Sequence, residues 1–194
     1  MGNIRMHAND ARNIWLKAGF DTVNGPAFQK YLPLIIWSIV ILVADQVTKE
    51  IIRRSLAEGE SVSVIDGFFN IVFVWNRGGA FSFLAGIDSI WRAIFFKAAS
   101  VVALIVIVFI YRDVEEDDKV MKSALILIFG GALGNLWDRF LYGKVTDFLD
   151  VYFGTYHWPA FNVADSCISV GVTLVIVKTV LDFSSGKGSG LPKG

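Results

Sequence analysis

Residues 120–141 read VMKSALILIFGGALGNLWDRFL, and the interpretation of this stretch decides the fold. Its length is close to the ~20 apolar residues that cross ~30 Å of hydrocarbon, which predicts a membrane span over Val120 to Leu141. Gly130, Gly131 and Gly134 make a small-residue face with GxxxG spacing. No Lys-Ser or Lys-Thr follows to form a phosphate loop, so that face is expected to pack closely against another helix. The apolar run then turns polar. Asn135, Asp138 and Arg139 follow at i, i+3 and i+4 and share one side of the helix. A buried Arg139 calls for a carboxylate, and Asp45 and Asp138 are the expected partners.

Three further stretches have the same character: Tyr31 to Lys49, Ile90 to Tyr111 and Phe161 to Leu181. The chain of 194 residues is 54% hydrophobic and 19% charged. Counted with Gly and without Tyr, the apolar share is roughly 61%, against about 45–50% for soluble domains, so an ordinary soluble enzyme is excluded and a four-span membrane protein fits. Some 30 polar and mixed residues precede the first span without a cleavage pattern, so this span is expected to remain as an anchor. With 18 basic against 18 acidic groups and no basic stripe, nothing supports nucleic-acid binding. Cys167 alone builds no disulfide framework, and His7 and His157 are too far apart to suggest a ligand cluster, so no metal or cofactor is expected.

Four spans place both termini on one side. Residues 1–30, the link 112–122 and the tail from 178 hold ten Lys and Arg, against seven in the opposite loops and span ends, which predicts cytoplasmic termini. The acidic run from Asp113 to Asp118 then lies in a tight cytoplasmic turn and is expected to be solvated. Between the first two spans, Glu60 to Phe83 predicts a small extracytoplasmic sheet. Val62 and Val64 alternate with serines, Asp66-Gly67 supplies a turn, and Phe69, Ile71, Phe73 and Trp75 share one parity. The expected fold is therefore membrane α-helical, with four transmembrane helices and this small sheet as an insert at about 60–83. A single membrane domain spans 31–182, preceded by a mobile or interfacial extension (1–30) and followed by a Gly/Ser-rich disordered tail (183–194).

With this topology Asp45, Asn76, Asn135, Asp138, Arg139, Asp147, Asn162 and Asp165 collect at one membrane face. Charged groups in hydrocarbon are costly, so their convergence points to a site. Asp147, just after the third span, and Asp165, in the first turn of the fourth, both have apolar neighbours. Seventeen residues between them let the two carboxyls meet. At ~4 Å and an effective dielectric near 20, two carboxylates repel by ~4 kcal/mol, about three pKa units, so one keeps a proton near neutral pH. That arrangement suits aspartic peptidase chemistry, in which the ionised acid takes a proton from water and the protonated one donates. Alternatives remain on spacing alone. Asp165 could be a helix N-cap, and Asp150 could replace Asp147. Asn76 could bind a peptide carbonyl or cap its turn, and His157 and Trp158 suit an interfacial aromatic belt. A Ser-Lys hydrolase would use Ser82 or Ser166 with Lys49 or Lys97, and a small proton-coupled carrier would also bear intramembrane acids.

Taken together, five segments resemble one family. They are Asp45-Gln46-Val47-Thr48-Lys49, Asn76 to Ser82, Gly130 to Arg139, Val145-Thr146-Asp147-Phe148 and His157 to Asp165. The family is the bacterial lipoprotein signal peptidases, or signal peptidase II. The resemblance runs in order over residues 31–181. It implies an aspartyl endopeptidase of the bacterial inner membrane, with its active site at the periplasmic face. Such an enzyme cuts diacylated prolipoproteins just before the cysteine that carries diacylglycerol. The family's catalytic aspartates fall on Asp147 and Asp165, and its supporting residues on Asp45, Lys49, Asn76, Asn135, Arg139 and Asn162. Substrate contact within membrane lipid, inhibition by globomycin-type compounds and a monomeric state are the further expectations. Gly79 and Trp137 depart from the family's usual residues.

Overall fold

The computed structural model of the chain describes residues 25–78 and 89–185. Most of the expected N-terminal extension, the tail beyond 185, and Gly79 and Ser82 lie outside the described residues. Four helices and four short strands follow in the order α1 (Pro26–Ser55), β1 (Ser61–Ile65), β2 (Phe69–Asn76), α2 (Ser89–Asp113), α3 (Lys119–Tyr142), β3 (Val145–Phe153), β4 (Tyr156–His157) and α4 (Val163–Ser184). All four helices are long and apolar enough to cross a membrane. Their outer surfaces carry large exposed apolar side chains such as Trp37, Phe95 and Val180, each more than half exposed, as lipid-facing helices require.

The helix ends differ from the expected spans for local reasons. α1 begins at Pro26, which needs no N–H partner in the first turn, several residues before the expected domain start at 31. At 30 residues it runs about 45 Å, more than the hydrocarbon thickness, so its last turns extend Lys49 and Arg53 towards the sheet. Asp118 caps α3 by accepting the Met121 amide at 3.0 Å, and it also pairs with Lys178 of α4 at 3.2 Å. The acidic turn is thus partly structural. Gly143, at φ 70°, ends α3 in the left-handed conformation that suits glycine.

The sheet is antiparallel in the order β1-β2-β3-β4. Its first half lies between α1 and α2 as expected, with Gly67 at φ 80° in the β1–β2 turn. Its second half comes from the connection between α3 and α4. β3 pairs with β2 through Val74↔Asp147 and Asn76↔Val145. Val145 to Phe148 are all buried, so the strand lacks the in-out alternation by which a half-buried strand is recognised.

α3 is the central helix. Half of its apolar window is buried, against 17%, 11% and 6% for the other three. Its glycines permit this. Gly130 faces Ile41 of α1, Gly131 faces the Ala164 carbonyl and Ile168 of α4, and Gly134 faces Asp45 and Ala164. Gly131→Ala would drive a methyl group into the Ala164 backbone oxygen, which cannot rotate aside. The expected loss is about 1–3 kcal/mol, read as a lower unfolding midpoint in detergent. An unchanged midpoint would refute the close approach of α3 and α4. Away from the sheet, Leu34, Ile107, Tyr111, Leu125 and Ile126 form the core.

Candidate active site

The polar residues meet where α1 ends, α3 ends, β3 begins and α4 begins. α1 contributes Asp45, Lys49 and Arg53, spaced four apart on one face. Lys49 Nζ lies 2.8 Å from Asp45 Oδ2 and 3.3 Å from Asp138 Oδ2, and donates to Asn135 Oδ1 at 3.1 Å. The side chains of Lys49, Asp45 and Asp138 are fully buried. Gln46 Nε2 lies 3.2 Å from Asp45 Oδ2 and 3.1 Å from Asp138 Oδ1, joining the two carboxylates a second time. Each carboxylate also holds a backbone amide. Asp45 Oδ1 accepts from Ala164 N, and Asp138 Oδ2 from Thr146 N, both at 2.9 Å. Ala164 precedes Asp165 and Thr146 precedes Asp147. The buried ion network therefore grips the chain one residue before each of the two acids.

The acids themselves are linked through two asparagines. Asp147 Oδ1 accepts from Asn162 Nδ2 at 2.7 Å and its Oδ2 from Asn76 Nδ2 at 2.9 Å. Asp165 Oδ1 accepts from Asn135 Nδ2 at 2.7 Å. Asn162 Nδ2 lies 3.2 Å from Asn135 Oδ1, which completes a chain Asp147–Asn162–Asn135–Asp165. Two local devices set it up. Phe161 exchanges both backbone hydrogen bonds with Leu149, at 2.8 and 3.0 Å, and so lays Asn162 beside Asp147. Asn162 then caps α4, its Oδ1 accepting the Asp165 amide at 2.9 Å. Asp147 is almost wholly buried, whereas Asp165 is only half-buried. Burial, then the charge of Asp165, pushes Asp147 up to about 7, against the hydrogen bonds from Asn76 and Asn162.

Several expectations are corrected. Arg139 does not pair with Asp45 or Asp138, which are taken by Lys49 on another side of α3. It donates to Ser100 Oγ at 3.3 Å and stacks over Phe96, which leaves its charge to act on Asp165 and Asp147. Asp165 is not the helix cap; Asn162 is. Asn76 both holds Asp147 and closes its turn, accepting the Gly78 amide at 2.8 Å. Asp150, an odd number of residues from Asp147, points to the opposite face of β3 and bonds Asn70 and His157, each at 2.9 Å. His157 is held there, stacked on Tyr152, while Trp158 is exposed. Ser166 donates to the Asn162 carbonyl at 2.9 Å, not to a lysine. Sequence reasoning gathered Asp138 at this face but gave it no role, and it assigned none to Gln46, Arg53 or Thr146. Arg53 lay one turn past Lys49 on the same face, and its Nη1 reaches Thr146 Oγ1 at 2.8 Å and Asp138 at 3.6 Å. Among the described residues no group of three or more His, Cys, Asp or Glu side chains is disposed to hold a metal ion.

The membrane-length helices thus carry, at one end, two aspartates joined through Asn162 and Asn135. The chain belongs to the signal peptidase II family: the family model described as Signal peptidase (SPase) II matches residues 37–181. It is 50% identical over 155 residues to the lipoprotein signal peptidase of Geobacter sulfurreducens, covering 80% of this chain and 94% of that one. It is 47% identical over 148 residues to the lipoprotein signal peptidase of Maridesulfovibrio salexigens, covering 76% and 95%. Among solved structures it resembles a bacterial membrane enzyme determined at 2.3 Å by the in meso method, with a TM-score of 0.71 and 35% identity over 82% of this chain and 94% of that one. The four apolar helices and the family make it a multi-pass bacterial membrane protein.

Proposed function

We propose that this enzyme removes the signal peptide from diacylglyceryl-modified prolipoproteins by cutting before the lipidated cysteine. The observation that carries this reading is the hydrogen-bonded chain from Asp147 through Asn162 and Asn135 to Asp165, at one end of a membrane bundle. Asp147 and Asp165 are assigned as the catalytic pair sharing one proton. The ionised acid takes a proton from water as the water oxygen attacks the scissile carbonyl carbon; the protonated acid gives its proton to the carbonyl oxygen and later supports departure of the amine. The proton belongs to the pair. Asn76, Asn135 and Asn162 orient the carboxyls, and Asp45 and Lys49 hold the backbone beneath them. Arg139 supplies positive charge for the substrate backbone or lipid head.

The reading places the enzyme in the bacterial inner membrane as a monomer, with cytoplasmic termini, so that the sheet and the acids face the periplasm. The small excess of Lys and Arg at the termini supports this orientation. Residues 31–182 form the peptidase domain, with 1–30 and 183–194 as extensions. The alternatives are weaker. Lys49, clasped by two carboxylates, is poorly placed as a serine's base, and a carrier would bear acids at mid-span or at both ends.

The test is incubation of purified protein with a diacylated prolipoprotein, with and without globomycin. Cleavage before the lipidated cysteine, blocked by globomycin, is expected; absent or uninhibited cleavage would reject the proposal. In the same assay kcat/KM should fall as the pH rises through about 7, where the pair loses its shared proton. The sign for stability runs the same way. Because the Asp147 carboxyl is raised from 3.8 to about 7, the folded state binds more protons than the unfolded state between those values. Its contribution is complete below 3.8 and is lost as the pH rises to about 7.

A further inference from the structure

At the sheet-bearing end, the start of α2 and the end of α3 leave a recess of about 380 Å3 lined by Arg77, Arg92, Ala93, Tyr142, Gly143 and Lys144. Three of its six residues are cations and none is an acid. Few cations of this molecule are gathered in this way. Lys30, Arg112, Lys122 and Lys178 at the other end each have a carboxylate within 4 Å, as do Lys49, Arg53 and Arg54. Among the described residues no carboxylate lies at ion-pair distance from Arg77, Arg92 or Lys144.

The recess is also held in shape. Lys144 Nζ sits 4.1 Å over the Trp75 ring, and Trp75 packs on Tyr142 at 5.4 Å. Arg92 and Lys144 are half-buried, and both line the recess. Beside them lie Trp91 and Phe95 of α2 and Phe140 and Leu141 of α3, all more than half exposed. Three cations with no carboxylate partner among the described residues, bordered by an apolar helix surface, match an amphiphile with an anionic head and acyl chains. Guanidinium groups bind phosphate oxygens in pairs, and an ammonium adds a point charge.

We propose that this recess binds the phosphate headgroup of an anionic phospholipid, whose chains lie along the exposed faces of α2 and α3. The cleavage chemistry uses none of the three cations, so this site is separate from the aspartate pair. It is nonetheless coupled to it by position: Arg77 directly follows Asn76, whose amide holds Asp147. A bound headgroup would anchor the end of β2 at the lipid surface.

The test is native mass spectrometry of the purified full chain with dioleoyl phosphatidylglycerol, dioleoyl phosphatidylcholine or inorganic phosphate. Each cation near a membrane surface is worth roughly fivefold in affinity for an anionic lipid, so the three allow up to about a hundredfold. At least a tenfold preference for phosphatidylglycerol over phosphatidylcholine is expected. That preference should vanish in Arg77→Gln/Arg92→Gln/Lys144→Gln, and in the native chain it should weaken as salt is raised. The salt series needs no variant, so it decides the matter even if the triple variant folds poorly. Equal retention of the two lipids, or salt-independent retention, would overturn the proposal. Displacement of phosphatidylglycerol by inorganic phosphate at low millimolar concentration would reassign the recess to soluble phosphate and overturn the lipid source.

Discussion

Asp147→Asn and Asp165→Asn are each expected to lower kcat for prolipoprotein cleavage by at least about a thousandfold, while the protein stays folded and membrane-inserted. The magnitude follows from removing the group that takes or gives the proton in the bond-breaking step, for which general acid–base catalysis contributes about 10²–10⁴-fold. Folding should survive. Asp147 accepts from Asn76 and Asn162, and an asparagine there keeps one acceptor oxygen while losing the other contact. That costs about 1–3 kcal/mol for one unmatched buried donor. The two substitutions together should be no worse than either alone, because two acids that share one proton act as a unit. Asp150→Asn is the control. It lies on the other face of β3 and should retain cleavage within about tenfold. Turnover by Asp147→Asn or Asp165→Asn, with Asp150→Asn inactive, would move the chemistry to Asp150.

Lys49→Met is the second large effect, and it concerns the fold. Lys49 is the cation between Asp45 and Asp138, and all three side chains are fully buried. Removing one member of a buried ion pair costs about 3–5 kcal/mol, because the remaining charge has no water to replace it. Here two carboxylates would face each other, so the upper end of that range is expected. The thermal midpoint in detergent should drop sharply, and cleavage with it. Lys49→Met combined with Asp45→Asn and Asp138→Asn removes these three charges, leaves Arg53 with its Glu50 partner at 3.0 Å, and should recover most of the midpoint. It should not restore activity, since amides grip the Ala164 and Thr146 backbones less firmly than carboxylates do. A Lys49→Met protein as stable as the parent would mean that the network does not hold the chain at these points.

Much of this was legible in the sequence because it depends on local sums. Four runs of the right length and hydropathy specify four spans whatever their neighbours do. Gly130, Gly131 and Gly134 announce close packing because only a side chain of hydrogen lets two backbones approach. The alternating residues before Asn76 announce the first hairpin. β3 was missed because a strand buried on both faces shows no alternation, and its Asp147 and Asp150 are poor strand formers.

The partner of each charge was another matter. Asp138 and Arg139 are adjacent, and spacing alone allowed Arg139 to pair with either Asp45 or Asp138. The rotation of α1 against α3 brings Lys49, not Arg139, between the carboxylates. The same non-local packing made Asn162, not Asp165, the cap of α4, because the Phe161–Leu149 bridge sets where the helix starts. The sequence by itself thus determined the spans and their polar ends, since each is written in a contiguous run of residues. Only the tertiary structure decided which polar atoms touch, because hydrogen bonds of 2.7 to 3.3 Å between α1, α3, β3 and α4 depend on helix rotations that no single segment encodes.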